Sequence, residues 1–335
     1  MNTLLEIRSL SKRFPVKKGI VFKKVVGEVH AVNDVSFSVR SGETVSLVGE
    51  SGSGKTTIAK IVSGLLPPTS GKILFEGQDM WALGARELRQ IQSKIGIVFQ
   101  DPYASLNPRM KINEIVSEPL AIHHWKTKKE RSERVQELLI KVGLSKSDST
   151  KYPHQFSGGQ LQRIAIARAL ALEPSLIVAD EPVSALDVSV QAKIMNLMYD
   201  IQRDLGISYL LISHDLGVVR HISNRVLILY LGHTTEVAST DELFSRTLHP
   251  YSQALLSAVL VPDAEEMRKN PPRLLSGEIP SPVNLPKGCK FDTRCPYVQE
   301  NCKTDEPPLF PAPSVDHLVS CFYWKEIESG KMFPR

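Results

Sequence analysis

Short apolar runs and longer segments of helical spacing alternate along most of this chain. Thr44–Val48 and Tyr209–Ile212 are mainly apolar, which predicts buried parallel strands. In Leu161–Leu170 the apolar positions recur instead at the spacing of a helix. Residues 4–48 predict strands, interrupted by a basic insertion at 17–25 that we interpret as a solvated hairpin. The whole pattern predicts an α/β fold.

Two regions depart from this alternation. A helical subdomain is predicted for about 101–168, where residues 128–141 mix charges with an amphipathic apolar face. Between about residue 255 and residue 313 the chain carries eleven prolines, which are incompatible with a long helix. We therefore predict one domain over 1–255 and a small, loop-rich extension over 256–335.

A glycine-rich stretch lies between the predicted strand Thr44–Val48 and a predicted helix that starts at Thr57. It matches the phosphate-loop pattern G-x-x-x-x-G-K-[ST] in the strand–loop–helix context that the motif requires. Glycines there allow successive N–H groups to form an anion site, reinforced by the helix N-terminus. The lysine should reach the β- and γ-phosphates of ATP, and the threonine after it should ligate Mg²⁺. The candidate residues are Gly49, Glu50, Ser51, Gly52, Ser53, Gly54, Lys55, Thr56 and Thr57.

A second apolar run, Ser175–Pro182, ends in two adjacent carboxylates. Its apolar approach predicts a buried parallel strand that delivers Asp180 and Glu181 to a site at the edge of the sheet. Asp180 is expected to hold the magnesium shell, and Glu181 to orient and polarise the attacking water.

Together with further motifs in the same order, these two elements resemble the ATP-binding cassette (ABC) ATPases over about residues 4–255. The resemblance implies a P-loop NTPase of the ABC type, with a RecA-like core, an antiparallel β subdomain and a helical subdomain. It also implies that Phe14 stacks on adenine, that Gln100 touches Mg²⁺ and senses a transmembrane partner, and that His214 contacts the γ-phosphate. The signature motif corresponds to Phe156 followed by Ser157, Gly158, Gly159 and Gln160, and the loop across the dimer interface corresponds to Ser184–Asp187, ending at Asp187.

In this family the signature helix cannot reach its own phosphate loop and covers the γ-phosphate of a second cassette. Because each motif occurs once in this chain, the resemblance implies a second ABC ATPase subunit, and we expect a heterodimer with a paralogue.

Composition and the N-terminal sequence limit the possible partners and the cellular location of the protein. The formal net charge of +5 is a mild excess that does not argue for nucleic acid as a partner. No apolar stretch reaches eighteen residues, and the N-terminus lacks the pattern of a signal peptide. We therefore expect a peripheral protein at the cytoplasmic face of the membrane, which contacts the membrane only through partner subunits.

All four cysteines, Cys289, Cys295, Cys302 and Cys321, lie in the extension at gaps of five, six and eighteen residues. Disulfides are disfavoured in the cytoplasm, so the clustering suggests a metal site. The C-x₂-C knuckles of structural zinc are missing, and four thiolates on a loop-rich frame suit an iron–sulfur cluster. Zinc and plain reduced thiols stay open as alternatives.

The segments His249–Leu256, Gly277–Pro282 and Gly288–Pro296 resemble the C-terminal extension of oligopeptide and dipeptide importer ATPases. That resemblance implies a 4Fe–4S cluster on the cysteines, two transmembrane permease subunits and an extracellular substrate-binding protein. We therefore expect the ATPase subunit of a peptide importer. An importer of nickel or another small solute is the main alternative. A soluble, non-transport ABC ATPase and a regulatory module without turnover are less favoured, and the retained Glu181 argues against the module.

Overall fold

The computed structural model describes residues 2–18, 24–257, 277–312, 314 and 316–334. The tip of the predicted basic hairpin, at 19–23, lies outside the described residues. The described residues form twelve strands: β1 Thr3–Lys18, β2 Lys24–Arg40, β3 Thr44–Val48, β4 Ser70–Phe75, β5 Gln78–Asp79, β6 Ile95–Val98, β7 Leu176–Asp180, β8 Ser208–Ile212, β9 Arg225–Tyr230, β10 His233–Ser239, β11 Phe310–Pro311 and β12 Leu318–Val319.

Twelve α-helices connect or flank these strands in the described part of the chain: α1 Lys55–Val62, α2 Ala85–Gln92, α3 Pro102–Ser105, α4 Ile112–Ile122, α5 Lys128–Lys141, α6 Gly158–Ala169, α7 Val188–Leu205, α8 Leu216–Ile222, α9 Thr240–Ser245, α10 Pro250–Ser257, α11 Glu300–Thr304 and α12 Trp324–Glu328. Short 3₁₀ turns lie at Lys146–Thr150, Pro153–Gln155 and Asp292–Arg294.

The strands assemble into two sheets. The main sheet has the order β11-β12-β10-β9-β3-β8-β7-β6, and the pairs from β9 through β6 are all parallel. The second sheet, in the order β2-β1-β4-β5, is antiparallel. Its long β1–β2 pair is the predicted hairpin, which still pairs Lys18 with Lys24 at its far end. The predicted α/β fold with an antiparallel β subdomain is confirmed.

The two faces of the main sheet pack on different layers, because side chains alternate along each strand. Leu176 and Val178 of β7 belong to the core that α1 and the antiparallel sheet complete. Ile177 and Ala179, on the opposite face, pack with the helices α4–α7. The region of the predicted helical subdomain contributes α4, α5 and α6 to this second layer, and α5 buries Val135, Leu138 and Leu139 while its charges stay outside.

The C-terminal extension packs directly on the main sheet. Its strand β12 pairs antiparallel with β10, and β11 pairs with β12, so the extension lengthens that sheet at one edge. Phe291 is 1% exposed and packs against Tyr230 of β9 and Tyr251 of α10. Helix α10 runs across the predicted boundary at residue 255, which stays a prediction.

A buried carboxylate ties this edge together. Glu236 of β10 is fully buried and accepts hydrogen bonds from the backbone N–H groups of Leu248 and His249. The imidazole Nε2 of His317, in the extension, lies 2.8 Å from the same carboxylate. Burial by itself lowers the pKa of His317, but the hydrogen bonds and charges of Glu236 and Glu242 outweigh it and raise that pKa overall.

The His317 contact predicts a pH-dependent contribution to stability. Because the folded pKa of His317 lies above its ordinary value of 6.5, this contribution is complete below pH 6.5 and is lost as the pH rises through the folded pKa. His317→Gln keeps a hydrogen-bond donor but cannot be protonated. The difference in the free energy of unfolding between the parent and His317→Gln should therefore shrink as the pH is raised above 6.5, as measured by urea denaturation.

The matched control is His221→Gln, which changes an exposed histidine on α8. Its difference from the parent should show no comparable trend. A His317→Gln difference that stays constant across the alkaline range would contradict the assigned protonation.

Candidate active site

The phosphate loop follows β3, every residue of which is buried, and leads into α1. Two of its glycines are required by close backbone approaches. A Cβ on Gly49 would lie 2.2 Å from the carbonyl oxygen of Leu229, and one on Gly54 would lie 2.3 Å from that of Ala31. Gly54 also has a φ of 101°, which L side chains rarely adopt. The loop therefore sits pressed between two other chain segments.

Lys55 begins α1 and turns back into the loop. Its Nζ donates to the carbonyl oxygens of Gly49 at 2.6 Å and Glu50 at 2.8 Å. The residue is 6% exposed, and this burial lowers the pKa of the amine, an effect that Glu181, Asp180 and Glu50 oppose. A buried cation in a glycine-rich loop at the N-terminus of a helix can bind polyphosphate.

Thr56 and Asp180 form the predicted magnesium pair. The Thr56 hydroxyl donates to Asp180 Oδ1 at 3.3 Å, across from the carboxyl end of β7. Burial raises the pKa of Asp180, and the Thr56 hydrogen bond works in the opposite direction. A hydroxyl and a carboxylate are oxygen donors of the kind that Mg²⁺ prefers, so the donor set fits the ion.

Glu181 meets both Gln100 and His214. Its carboxylate accepts a hydrogen bond from Gln100 Nε2 at 2.7 Å and lies 3.1 Å from His214 Nδ1. The backbone of Glu181 has a φ of 47°, a left-handed conformation that is uncommon for a residue with a side chain. Such strain persists where the surroundings enforce it, and here it aims a carboxylate between an amide and an imidazole.

These side chains line one cleft of about 510 Å³. Its predicted members are Phe14, Gly49, Ser51, Gly52, Gly54, Lys55, Thr56, Thr57, Gln100, Glu181 and His214. Glu50, Ser53 and Asp180 lie beside the lining and contact it through hydrogen bonds. Val29, Ala31 and Pro282 line the same cleft but were not predicted. No nucleotide-binding motif marks them, and Pro282 belongs to the extension, far away in the sequence.

The signature residues lie elsewhere. Ser157 caps α6 and forms a reciprocal pair of hydrogen bonds with Gln160. A Cβ on Gly159 would lie 2.5 Å from Val190 of α7, so this glycine allows two helices to pack closely. Gly158 and Asp187, which precedes α7, are also absent from the lining of the cleft. The structure thus brings together one group of predicted residues and leaves the signature group outside it.

The four cysteines surround a second cavity. Cys289, Cys295, Cys302 and Cys321 all line it, together with His249, Phe291 and other residues. Burial raises the pKa of the Cys289 thiol to about 11 and those of Cys295 and Cys321 to about 12. The backbone N–H of Cys289 donates to the carbonyl of Cys302 at 2.8 Å, which holds two of the cysteine-bearing segments together.

The cysteine-lined cavity was tested as a metal site. Among the described residues, no group of three or more His, Cys, Asp or Glu side chains is placed to hold a metal ion. The donor chemistry suits a thiolate-bound metal or cluster, but the ligand arrangement itself is missing from this structure.

The helices of the structure also bear on membrane contact. Across the described ranges, every helix is too short or too polar to cross a bilayer.

Comparison with known proteins agrees with the site. Residues 32–184 match the family model described as "ABC transporter", and residues 235–302 match the model "Oligopeptide/dipeptide transporter, C-terminal region". The oligopeptide transport ATP-binding protein AppF of Bacillus subtilis is 51% identical over 95% of this chain and 97% of its own length. The oligopeptide transport ATP-binding protein OppF of Salmonella typhimurium is 48% identical, with 95% of each chain covered.

Solved structures show the same fold. The ATP-binding cassette MJ0796, solved as a dimer bound to ADP and Pi, superposes with a TM-score of 0.62 at 32% identity, covering 70% of this chain and 98% of its own. The protein cbiO1 from Clostridium perfringens, part of the ABC transporter complex cbiONQ, gives a TM-score of 0.64 at 25% identity, covering 80% and 100%. A complete phosphate-loop cleft, this fold and close relatives along nearly the whole chain lead to one conclusion: the chain belongs to the ABC transporter family and is an ATPase of that family.

Proposed function

We propose that this chain is the ATP-hydrolysing subunit of an importer that takes up oligopeptides or dipeptides. The observation that carries the ATPase role is the cleft in which Lys55, the Thr56–Asp180 pair and the Glu181–His214 pair converge. The relatives named as oligopeptide transport proteins, and the match of residues 235–302, support the peptide substrate.

Each side chain of the cleft has a role in this proposal. Lys55 and the loop N–H groups bind the β- and γ-phosphates, and Thr56, Asp180 and Gln100 hold Mg²⁺, which neutralises phosphate charge. Glu181 orients and polarises the attacking water, and His214 contacts the γ-phosphate. Phe14, which is 36% exposed in the cleft, stacks on the adenine ring.

A second cassette completes the site. Ser157, Gly158, Gly159 and Gln160 lie outside the cleft, so they are available to cover the nucleotide of another subunit. Val188, next to Asp187, is 82% exposed, as a residue at an unformed subunit interface would be. We favour a paralogous ATPase as the partner, because the importer family commonly pairs two different ATPases.

Glu181→Gln should separate binding from hydrolysis. The amide keeps the hydrogen bond with Gln100 but cannot take a proton from water, so turnover should fall by about 10²–10⁴-fold. Binding of Mg-ATP should persist, and the subunit should accumulate as a closed dimer. Phosphate release and light scattering in the presence of Mg-ATP measure the two effects.

The matched control is Glu133→Gln on α5, an exposed carboxylate in an i,i+4 pair with Lys129. It should hydrolyse ATP at the parental rate. If Glu181→Gln does the same, Glu181 does not activate the water.

A groove beside Gln100 fits a contact with the transmembrane subunits. It has a volume of about 250 Å³ and is lined in part by Phe99, Ile122 and Arg168. Phe99 and Ile122 are 38% and 57% exposed, so the groove presents apolar surface next to the hydrogen bond between Gln100 and Glu181. We assign it to a cytoplasmic segment of a permease subunit, and on this proposal the ATPase lies at the cytoplasmic face of the membrane.

Ile122→Glu should weaken this contact, because a carboxylate in the groove must be desolvated on docking. The variant should lose co-purification with the permease subunits and lose uptake, while the ATP affinity of the free subunit is retained. Leu205→Glu is the control, since Leu205 is 47% exposed at the far end of α7.

Uptake by the assembled transporter also decides the substrate class. Labelled oligopeptides should be accumulated in an ATP-dependent manner by the parent and by Leu205→Glu. Accumulation of nickel without peptide uptake would favour the small-solute alternative, and co-purification with ribosomes would favour a soluble ABC ATPase.

We also infer that the four cysteines hold a 4Fe–4S cluster. Support comes from the shared cavity and from the thiolate donor set. A cluster would supply structural cross-links between the extension's loops, since ATP hydrolysis requires no redox step.

Anaerobically purified protein should be brown and contain about four iron and four sulfide per chain. Cys295→Ser should lose the colour and most of the iron, because one of four ligands is removed. Elemental analysis checks both. A colourless preparation with stoichiometric zinc would contradict the cluster, and one without any metal would leave reduced thiols as the assignment.

A further inference from the structure

The extension reaches back to the phosphate loop through one arginine. Arg294 lies in the 3₁₀ turn Asp292–Arg294, and its side chain is 7% exposed. Its Nη1 donates to Glu50 Oε2 at 2.7 Å, and its Nη2 donates to Glu50 Oε1 at 3.1 Å. Two parallel bonds between a guanidinium and a carboxylate are the strong, directional form of an ion pair.

Glu50 is held by its backbone as well as by its side chain. Its N–H donates to the Tyr251 hydroxyl at 2.9 Å, and its carbonyl accepts the hydrogen bond from Lys55 Nζ. The carbonyl also accepts from the Ser53 N–H at 3.2 Å. Fixing Glu50 therefore also fixes the carbonyl oxygen to which Lys55 Nζ donates its hydrogen bond.

Glu50 is also the single carboxylate within Gly49–Thr57. An unpaired negative charge there would repel a triphosphate, and burial near the cleft would leave that repulsion poorly screened. The guanidinium of Arg294 cancels this charge at hydrogen-bonding distance.

The arginine is itself anchored. Phe291, three residues earlier, packs with ring centroids 5.3 Å from Tyr230 and 5.4 Å from Tyr251. The guanidinium lies 5.8 Å from the centroid of the Tyr230 ring. The turn that carries Arg294 is thus fixed to the main sheet by a buried aromatic cluster.

An independent contact joins the extension to the other end of the cleft. Pro282 lines the cleft that also contains Phe14, and its carbonyl accepts a hydrogen bond from the His30 N–H at 3.0 Å. The next residue, Val283, packs closely on Gly27: a Cβ on Gly27 would lie 3.2 Å from Cγ1 of Val283. The extension therefore touches the cleft at its base end and at its phosphate end.

We propose that Arg294 is a positioning residue for ATP binding: through Glu50 it holds the phosphate loop in its binding shape and neutralises the loop's own carboxylate. On this proposal the extension is a functional part of the nucleotide site. This proposal rests on the proposed function only in that the cleft binds ATP.

The test compares Mg-ATP affinity across variants of the full chain. Arg294→Met keeps the length of the side chain and removes the charge, so the Kd for a fluorescent ATP analogue should rise about tenfold, or about 1.4 kcal/mol. The turnover number at saturating ATP should change little, because the residues that act on water are untouched. Affinity for adenosine, which lacks phosphates, should be unchanged.

Two further variants test the role of charge. In the double variant Arg294→Met with Glu50→Gln, much of the lost ATP affinity should return, since the unpaired carboxylate is gone. Arg294→Lys keeps the charge without the two-pronged geometry and should bind ATP between the parent and Arg294→Met. This milder variant also serves if Arg294→Met does not fold, as judged by thermal unfolding.

The matched control is Arg246→Met, which breaks another ion pair between the cassette and the extension, to Glu328 of α12. It should leave the Kd for ATP unchanged. Equal losses in both methionine variants, an unchanged Kd in Arg294→Met, or no recovery in the double variant would overturn the proposal. A parent protein that binds no ATP would overturn the proposed function instead.

Discussion

The hydrogen bonds from Lys55 to the carbonyls of Gly49 and Glu50 are the interaction on which the rest of the cleft depends. They close the loop around its own cation before any nucleotide binds. The loop can be this compact because glycines at 49 and 54 let the backbones of Leu229 and Ala31 press against it. A loose loop would have to be ordered by the ligand, at a cost in affinity.

Strand order brings the remaining groups to that loop. In the parallel part of the sheet, β3 neighbours β8, and β8 neighbours β7. The carboxyl ends of parallel strands meet at one edge, so the residues after them fall together although they are far apart in sequence. Asp180 is the last residue of β7, Glu181 follows it, and His214 follows β8 by two residues. The signature helix α6 belongs to the other layer, so its residues do not line this cleft.

Sequence patterns predicted much of this arrangement, and their limits have a physical cause. The strands Thr44–Val48 and Leu176–Asp180 are short apolar runs that lead into polar residues of the site. Such patterns depend only on residues that are neighbours in the sequence, so they can be recognised without the fold. The family motifs identified the residues of the cleft for the same reason. Pro282 and Arg294 lie in segments that resemble the importer extension, but nothing in the sequence indicates that they contact the cleft, because these contacts span the fold: Arg294 and Glu50 are 244 positions apart. Only tertiary packing shows that a proline-rich tail lines a nucleotide cleft.

One buried aromatic side chain lies between the thiol cavity and a residue that bonds to the phosphate loop. Phe291 lines the cavity of the four cysteines and at the same time packs on Tyr230 and Tyr251, the second of which bonds to Glu50. Arg294 follows on the same turn and precedes Cys295 directly. Because closely packed interiors transmit displacement instead of absorbing it, a repacking around the thiols moves the residues that seat Arg294. The cysteine-bearing extension is therefore connected to the phosphate loop by a continuous chain of packed and hydrogen-bonded residues, and this chain bypasses the groups at the carboxyl ends of β7 and β8.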